Sequence, residues 1–216
     1  MYVKVVASSS DRRTNLRNFA QIATNKMKYW IIADTHYNHK NLVEWGRRKE
    51  GFGDLLNKGL LEKTSLAHDG VQMVIHLGDF CMGDEAEAME KFVASTPNCK
   101  RVLVRGNHDG KSENWYLTHG FDFVCSSFTL RHLNKDMIFT HRPVPQTDKY
   151  DINIHGHLHG YEYKGGDGSS LDKTWHYDCA PEIRGFKPLL LERIIKDQKQ
   201  SIKLIKNKEN ENNTRE

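Results

Sequence analysis

Five apolar segments of the sequence run directly into small groups of Gly, Asp, Asn and His residues, and this recurrence constrains the fold more than any other feature. The segments are IIADTH, IHLGDF, LVRGNHD, IFTHRP and IHGHLH. An apolar run of this length that stops at a polar group is typical of a buried strand. Because ligands collect outside the carboxyl ends of strands in α/β sheets, we expect the five ends to meet at one site.

Strand-like and helix-like patterns alternate in the first half of the chain. Helical patterns cover residues 41–70, with an interruption at Gly51–Gly53, and also DEAEAMEKFVAST and residues 112–119. In the second half β-type runs dominate, and these are FDFVC, FTLRH, DMIFTH, DINIHGH, TWHYDCA and LLLERII. This order predicts an α/β layered fold with mixed sheets, and 216 residues suffice for one domain with its own core.

Composition divides the chain into a flexible N-terminal arm at residues 1–27, a domain at 28–195 and a charged tail at 196–216. The net charge is +4, but the excess of basic residues lies at the two ends, so the charge alone does not indicate a nucleic-acid binder. We interpret the basic arm, with Arg12, Arg13 and Arg17, as a solvated segment; assistance in nucleic-acid binding is the alternative.

The sequence also bears on the compartment. Four cysteines are present without a CxxC pair, and the N-terminus lacks an apolar segment followed by a cleavage site. No apolar run approaches the length of a membrane span. We therefore expect a cytoplasmic protein without a membrane partner.

The polar groups at the five strand ends offer two carboxylates, one amide and four imidazoles as metal ligands. They are Asp34, His36, Asp79, Asn107, His141, His157 and His159. Seven ligands are too many for one tetrahedral zinc ion but suit two divalent ions that share a bridging carboxylate. In an extended segment residues i and i+2 point the same way, so Asp34 with His36, and His157 with His159, would act as ligand pairs. Two such ions activate water for phosphoester hydrolysis.

The ordered series DxH, GD, GNHD, the His of THRP and GHxH resembles the calcineurin-like metallophosphoesterases over about residues 28–193. The residues of these motifs are most similar to those of the small single-domain phosphoesterases of bacteria and phages. This resemblance implies an α/β fold in the form of a four-layer αββα sandwich, with two mixed β-sheets flanked by helices and the metals at the sheet ends.

The resemblance also implies roles for the motif residues. Asp34, His36 and His159 would hold the first metal, Asp79 would bridge, and Asn107, His141 and His157 would complete the second site. A metal-bridging hydroxide would attack phosphorus, His108 would contact the phosphate and assist the leaving oxygen, and Asp109 would orient the His108 ring. The sequence departs from the pattern at Thr140, where many relatives have Gly before the histidine.

Two further residues are candidates for substrate binding. Arg142 lies beside a ligand and would either grip the phosphate or form an ordinary ion pair. His39 would either touch substrate or have a surface or capping role. Specificity would come from the loops at residues 47–53 and 161–174, whose glycines and aromatic residues permit many shapes.

These features predict a dinuclear metal-dependent phosphoesterase. Its substrate would be a phosphoester, and nucleotides and nucleic acids are among the candidates. A phosphodiesterase is favoured because the chain has no obvious cap domain to enclose a small phosphate. The alternatives are a nucleotide or protein phosphomonoesterase and a non-catalytic metal-binding scaffold, against which the presence of His108 argues. Nitrogen and oxygen ligands accept manganese, iron, nickel or zinc, and we expect two Mn²⁺ ions.

Overall fold

The computed structural model describes residues 3–6, 27–65, 71–161 and 171–213, and these residues form two five-stranded sheets. The first sheet contains β2 (Lys28–Ile32), β3 (Gln72–His76), β4 (Cys99–Val104), β5 (Phe123–Cys125) and β10 (Leu189–Leu190). Its order is β10-β2-β3-β4-β5. Strands β2 to β5 are parallel, whereas β10 is antiparallel to β2, so the sheet is mixed.

Helices connect the parallel strands of the first sheet. They are α1 (Lys40–Glu44) and α2 (Phe52–Thr64) between β2 and β3, α3 (Glu85–Ala94) before β4, and α4 (Glu113–His119) before β5. Asp84 caps α3 by accepting a hydrogen bond from the Glu87 backbone N–H, and Ser112 caps α4 in the same way through Trp115. The helices predicted around residues 85–94 and 112–119 therefore start at side chains that satisfy their first N–H groups.

The second sheet contains β1 (Val3–Val6), β6 (Ser127–His132), β7 (Lys135–Thr140), β8 (Ile152–His155) and β9 (His176–Asp178), in the order β1-β6-β7-β8-β9. The first three strands of that order are antiparallel, and β7, β8 and β9 are parallel. The chain then forms the short helix α5 (Pro181–Arg184), passes through β10 and ends its described part in α6 (Leu191–Asn213).

Alternating side chains divide the core into two clusters. On β2, Tyr29 and Ile31 belong to the cluster between the sheets, which also contains Phe139 of β7 and Ile154 of β8. The neighbours of Tyr29 and Ile31 on β2 point to the opposite face and join a cluster with α2, α3 and α4. The αββα class with two mixed sheets flanked by helices is thus confirmed.

Three details of the predicted organisation are corrected by the structure. Only Leu189–Leu190 of LLLERII is a strand, because Leu191 starts α6 and buries its side chain with Ile194 and Ile195, at helical spacing. The β-branched Val3–Val6 segment, within the predicted flexible arm, pairs with β6. Residues 7–26, which include the arm's three arginines, lie outside the described residues.

The third correction concerns the C-terminal tail. The predicted boundary between residues 195 and 196 falls inside α6, and the buried Gln198 donates hydrogen bonds to the carbonyls of Asp151 and Thr174. The first residues of the predicted tail therefore belong to the domain. None of the described helices is both long enough and apolar enough to span a bilayer.

The helical pattern at residues 41–70 also needs refinement. The pattern includes the apolar residues Trp45, Leu55 and Leu61, yet their side chains are 59%, 54% and 43% exposed. Trp45 lies at the C-cap of α1 rather than within a helix. Residues 66–70 lie outside the described residues.

Candidate active site

The seven predicted metal ligands lie on the loops that follow five strands. Asp34 and His36 follow β2, Asp79 follows β3, and Asn107 follows β4 in the first sheet. The remaining three follow two strands of the second sheet: His141 follows β7, and His157 and His159 follow β8. Since both sets of strands are parallel where these loops start, the loops meet at one end of the sandwich.

Six of the seven side chains form two groups with metal-ligand geometry. The first cluster contains Asp34, His36 and His159, and the second contains Asp79, His141 and His157; within each, the ligand atoms lie within 4.8 Å of one another. The seventh, Asn107, places its Oδ1 atom 3.1 Å from His141 Nε2, at the second cluster.

The Asp79 carboxylate lies between the two clusters. Its Oδ2 atom is 3.4 Å from His141 Nε2 in the second cluster and 3.6 Å from His36 Nε2 in the first. The other oxygen, Oδ1, accepts a hydrogen bond of 2.8 Å from the His108 backbone N–H. This orientation leaves one carboxylate oxygen facing both clusters.

The donor atoms of the second cluster fit a cation. The Nδ1 atom of His141 contacts the Leu77 carbonyl oxygen at 2.8 Å, so this nitrogen carries the proton and Nε2 presents a lone pair. That lone pair faces Asn107 Oδ1 and His157 Nδ1, each 3.1 Å away. A bound cation, or the second proton that the raised pKa of His141 favours, would balance the acceptors that converge here.

Five of the ligands have a left-handed backbone, which sequence reasoning did not foresee. The φ angles are 48° at Asp34, 45° at His36, 55° at Asp79, 72° at His157 and 51° at His159. The ligands therefore do not lie on extended strands, and the i, i+2 argument is wrong for the last pair, since His157 and His159 belong to different clusters. Such strained backbone is concentrated at functional sites, where the surrounding structure holds it in place.

Two glycines allow the loops to approach one another. A Cβ atom on Gly106 would collide with the Asp79 side chain, and one on Gly156 would collide with the Asp34 carboxylate. The two carboxylates thus occupy space that any other residue at these positions would fill.

Burial shapes the electrostatics of the two carboxylates in different ways. Burial raises the pKa of Asp34 to about 7, although His141, His159 and the hydrogen bonds from the His157 backbone N–H oppose this shift. For Asp79 burial acts in the same direction, but the hydrogen bond and charge of His141 outweigh it and hold the pKa well below its usual range. A cation beside Asp34 would favour its ionised form.

The histidines of the clusters also differ. Burial lowers the pKa of His36 to about 3 and that of His157 to about 4, so both imidazoles are neutral near pH 7, as metal ligands must be. At His141 and His159 burial also lowers the pKa, but contacts with Asp79 and Glu182, respectively, outweigh it and raise the pKa. These two rings are the ones from which a metal ion would displace a proton.

His108 lies beside the clusters and belongs to neither. Its Nε2 atom is 4.0 Å from Asp79 Oδ2, its ring is 5.5 Å from the His36 ring, and its side chain is 44% exposed. The ring is thus directed at the space in front of both clusters and is open to solvent.

The expected contact between Asp109 and the His108 ring is corrected by the structure. The buried Asp109 carboxylate accepts hydrogen bonds from the backbone N–H groups of Asp79, Phe80 and Gly106, and within the described residues it forms none with the His108 ring. Three amide donors satisfy this carboxylate. Asp109 therefore ties the loop after β3 to the loop after β4.

Arg48 and Glu182 contribute to the site although sequence reasoning missed both. The buried Arg48 guanidinium donates to the carbonyl oxygens of Asp34 and Thr35 and pairs with Glu182 at 2.7 Å. Glu182 Oε1 in turn lies 3.1 Å from His159 Nδ1, which places the proton on that nitrogen and leaves Nε2 for a metal. Arg48 lies in the loop between α1 and α2, Glu182 lies in α5, and neither belongs to a recognisable motif.

The two predicted substrate-binding residues flank the clusters on opposite sides. Arg142 donates a hydrogen bond of 3.2 Å to Asn107 Oδ1 at the second cluster, and the His39 ring lies 5.6 Å from the His36 ring at the first. Arg142 also lines a groove of about 700 Å³, together with Asn107, His141, Val144 and Tyr150. The groove therefore opens directly beside the second cluster.

Comparisons with known proteins agree with this geometry. The profile of the calcineurin-like phosphoesterase superfamily domain matches residues 27–175. An uncharacterised protein of Methanocaldococcus jannaschii is 25% identical over 172 residues, which cover 78% of this chain and 90% of that protein.

The chain is also similar to solved structures. A protein of unknown function from Aquifex aeolicus superposes with a TM-score of 0.60 at 24% identity, over 79% of this chain and 98% of its own. A nuclease of Pseudomonas putida superposes with a TM-score of 0.42 at 22% identity, over 66% of each chain.

Proposed function

The chain belongs to the calcineurin-like phosphoesterase superfamily, and from this premise we propose that it is a dinuclear metal-dependent phosphodiesterase. The observation that carries the proposal is the Asp79 carboxylate, whose Oδ2 atom lies within 3.6 Å of ligand nitrogens in both clusters. A carboxylate in this position suits two divalent ions that share it.

The ligands divide between two ions as the geometry groups them. Asp34, His36 and His159 would hold one ion, and Asn107, His141 and His157 the other, with Asp79 between them. When bound, the ions would activate a water molecule as nucleophile and neutralise charge on the phosphoryl oxygens. The nitrogen and oxygen donors accept several divalent metals, and Mn²⁺ is the ion we propose first.

His108 would assist the leaving group in this reaction. Its ring reaches the space in front of both clusters and is not needed as a ligand. Its backbone N–H holds Asp79, so the position of the ring is coupled to the carboxylate that the ions would share. A histidine placed in this way is suited to donate a proton to the departing oxygen.

A diester substrate is favoured by the groove beside the second cluster. A diester carries two organic substituents, and a cavity of about 700 Å³ next to His141 and Asn107 offers room for one of them. Arg142 at the boundary of cluster and groove is placed to pair with a non-bridging phosphate oxygen. The apolar wall formed by Val144 and Tyr150 would contact the organic group rather than the phosphate.

A metal-reconstituted substrate panel tests this function. After removal of metals by chelation and addition of Mn²⁺, we expect kcat/KM for bis(4-nitrophenyl) phosphate to exceed that for 4-nitrophenyl phosphate. Asp79→Asn should abolish turnover of both esters because it weakens the shared ligand. Faster hydrolysis of the monoester would favour a phosphomonoesterase, and stoichiometric metal without any turnover would favour a metal-binding scaffold.

Metal binding should also stabilise the fold more strongly as the pH rises. The pKa of Asp34 is raised to about 7 and those of His141 and His159 are raised, so at acid pH a metal ion must displace protons from these groups. Below the raised pKa values, affinity should rise about tenfold per pH unit for each proton displaced, and this dependence ends once all three groups are deprotonated.

Thermal unfolding at fixed Mn²⁺ concentration measures this dependence. The metal-induced increase in Tm should be larger at about pH 8 than at about pH 5. The control is the protein in chelator at each pH, which corrects for the pH dependence of the metal-free fold. An increase in Tm of equal size at both pH values would contradict the protonation states that the structure implies.

A further inference from the structure

Two exposed aromatic side chains and an arginine form a surface beside the first cluster. Trp45 and Tyr161 are each 59% exposed. The Arg47 guanidinium carbon lies 5.6 Å from the centre of the Trp45 ring and 5.5 Å from that of Tyr161. We call these three residues the aromatic platform. Arg47 and Tyr161 lie in the loops at residues 47–53 and 161–174 that were predicted to determine specificity, and Trp45 lies two residues before the first of these loops.

The platform is attached to the metal ligands by direct contacts. The His39 ring lies between them, 5.6 Å from the His36 ring and 5.9 Å from the Trp45 ring. On the other side, Tyr161 follows the ligand His159 by two residues, and its backbone N–H donates to the Leu158 carbonyl at 2.8 Å. Trp45 is thus connected to His36, a ligand of the first cluster, through the His39 ring. One nucleotide is long enough to cover the distance from Trp45 to His36.

The chemistry of the platform is that of a stacking surface. Large aromatic rings that remain mostly exposed offer flat apolar faces, and the Arg47 guanidinium beside both rings adds a positive charge. Aromatic faces combined with arginine are the means by which proteins bind the bases of single nucleotides and of single strands, since every base has a π-face. An aliphatic substituent would gain little from the flat rings.

We infer that the aromatic platform binds a nucleobase of the substrate while its phosphate lies at the two clusters. This inference rests on the proposed phosphodiesterase function and names the class of its substrate. The groove beside the second cluster would then take the substituent on the other side of the phosphate. The base comes either from a nucleotide ester or from a nucleic-acid strand, and both present the same ring to Trp45 and Tyr161.

Equilibrium binding to the metal-loaded protein tests the inference without relying on turnover. The probes are thymidine 5′-phosphate and 2-deoxyribose 5-phosphate, in which a hydroxyl group replaces the base. The wild-type protein should bind the thymidine compound more tightly, by between about 5-fold and about 150-fold, the range expected for stacking of one base. Trp45→Ala and Tyr161→Ala should each reduce this preference and leave the affinity for deoxyribose phosphate unchanged.

A matched control is Leu204→Ala on α6, because Leu204 is 62% exposed and lies outside the platform. This variant should keep the full preference for the base. Equal affinity of the wild-type protein for both probes would overturn the inference. A decrease in affinity in Trp45→Ala that is the same for both probes would overturn it as well. Preference for phosphotyrosine over thymidine 5′-phosphate, lost in Trp45→Ala, would overturn it in favour of an aromatic peptide.

Two further measurements distinguish a nucleotide ester from a nucleic-acid strand as the source of the base. They also distinguish failure of this inference from failure of the proposed function. A thymidine octanucleotide and an octamer with abasic residues should differ in the same Trp45-dependent way, and a larger difference than for the mononucleotides identifies a strand as the source. Failure of the metal-loaded protein to bind inorganic phosphate would count against the proposed function itself. Phosphate binding without base preference overturns only the inference about the platform.

Discussion

Replacing His108 by alanine should lower kcat by about 10²- to 10⁴-fold, the range typical of a lost general acid, while both metal ions stay bound. The reason lies in the separation of the ring from the ligands. The His108 side chain is 44% exposed and belongs to neither cluster, whereas its backbone N–H holds Asp79 Oδ1 at 2.8 Å. Alanine keeps this N–H, so the clusters should keep their geometry.

The loss should depend on the leaving group. A 4-nitrophenolate leaves readily without a proton, whereas an alkoxide needs one, so the alanine variant should lose more activity on an alkyl ester than on a nitrophenyl ester. The measurements are kcat on both esters and metal content per chain. A suitable control is His119→Ala, since His119 is exposed and stacked on Trp115. Equal losses on both esters, or a loss of metal, would contradict a role for His108 as the acid.

The strand ends were predictable from sequence because both of their signals are local. The apolar run predicts the strand, and the polar residues that follow it are read within a few positions. Asp34, Asp79 and Asn107 could thus be assigned to one edge of a sheet before any contact was known. The parallel pairing of β2, β3 and β4 then brings them together.

The contacts that support the ligands could not be predicted in this way. Arg48 and Glu182 are 134 residues apart, and their pairing depends on how the loop before α2 packs against α5. Burying the Arg48 guanidinium is favourable only because two carbonyl oxygens and a carboxylate receive its hydrogen bonds. A sequence pattern carries no signal for such a set of partners.

Asp109 is another residue whose contacts could not be predicted from the sequence. Its motif predicts a partner for the neighbouring histidine, but the carboxylate instead satisfies three backbone N–H groups of two loops. The φ angle of 55° at Asp79 contributes to this need, because the N–H groups of Asp79, Phe80 and Gly106 bond to Asp109 rather than to a neighbouring strand. Tertiary contacts set the backbone conformation of a loop. The need for an acceptor at Asp109 can therefore be recognised only in the folded chain.

Gly156→Ala should destabilise the protein by more than about 2 kcal/mol and remove metal binding at the first cluster. Gly156 directly follows β8, and a Cβ atom there would lie 2.7 Å from the Ala33 Cβ atom and would collide with the Asp34 carboxylate. Neither neighbour can move freely. Ala33 is fully buried beside β2, and Asp34 is held by two hydrogen bonds from the His157 backbone N–H.

The matched control is Gly110→Ala, because no atom lies within 4 Å of the position that its Cβ would take. That variant should change stability by no more than about 1 kcal/mol, with a slight gain from the stiffer unfolded chain. Urea unfolding in chelator measures the strain alone, and metal content after reconstitution measures the cluster. If Gly156→Ala loses stability but binds two ions normally, the close approach of β8 to Asp34 serves packing rather than the metal site. Loss of both stability and metal binding would show that the packing of the two sheets and the position of Asp34 depend on the same glycine. The reason is that Gly156 allows the loops after β2 and β8 to meet.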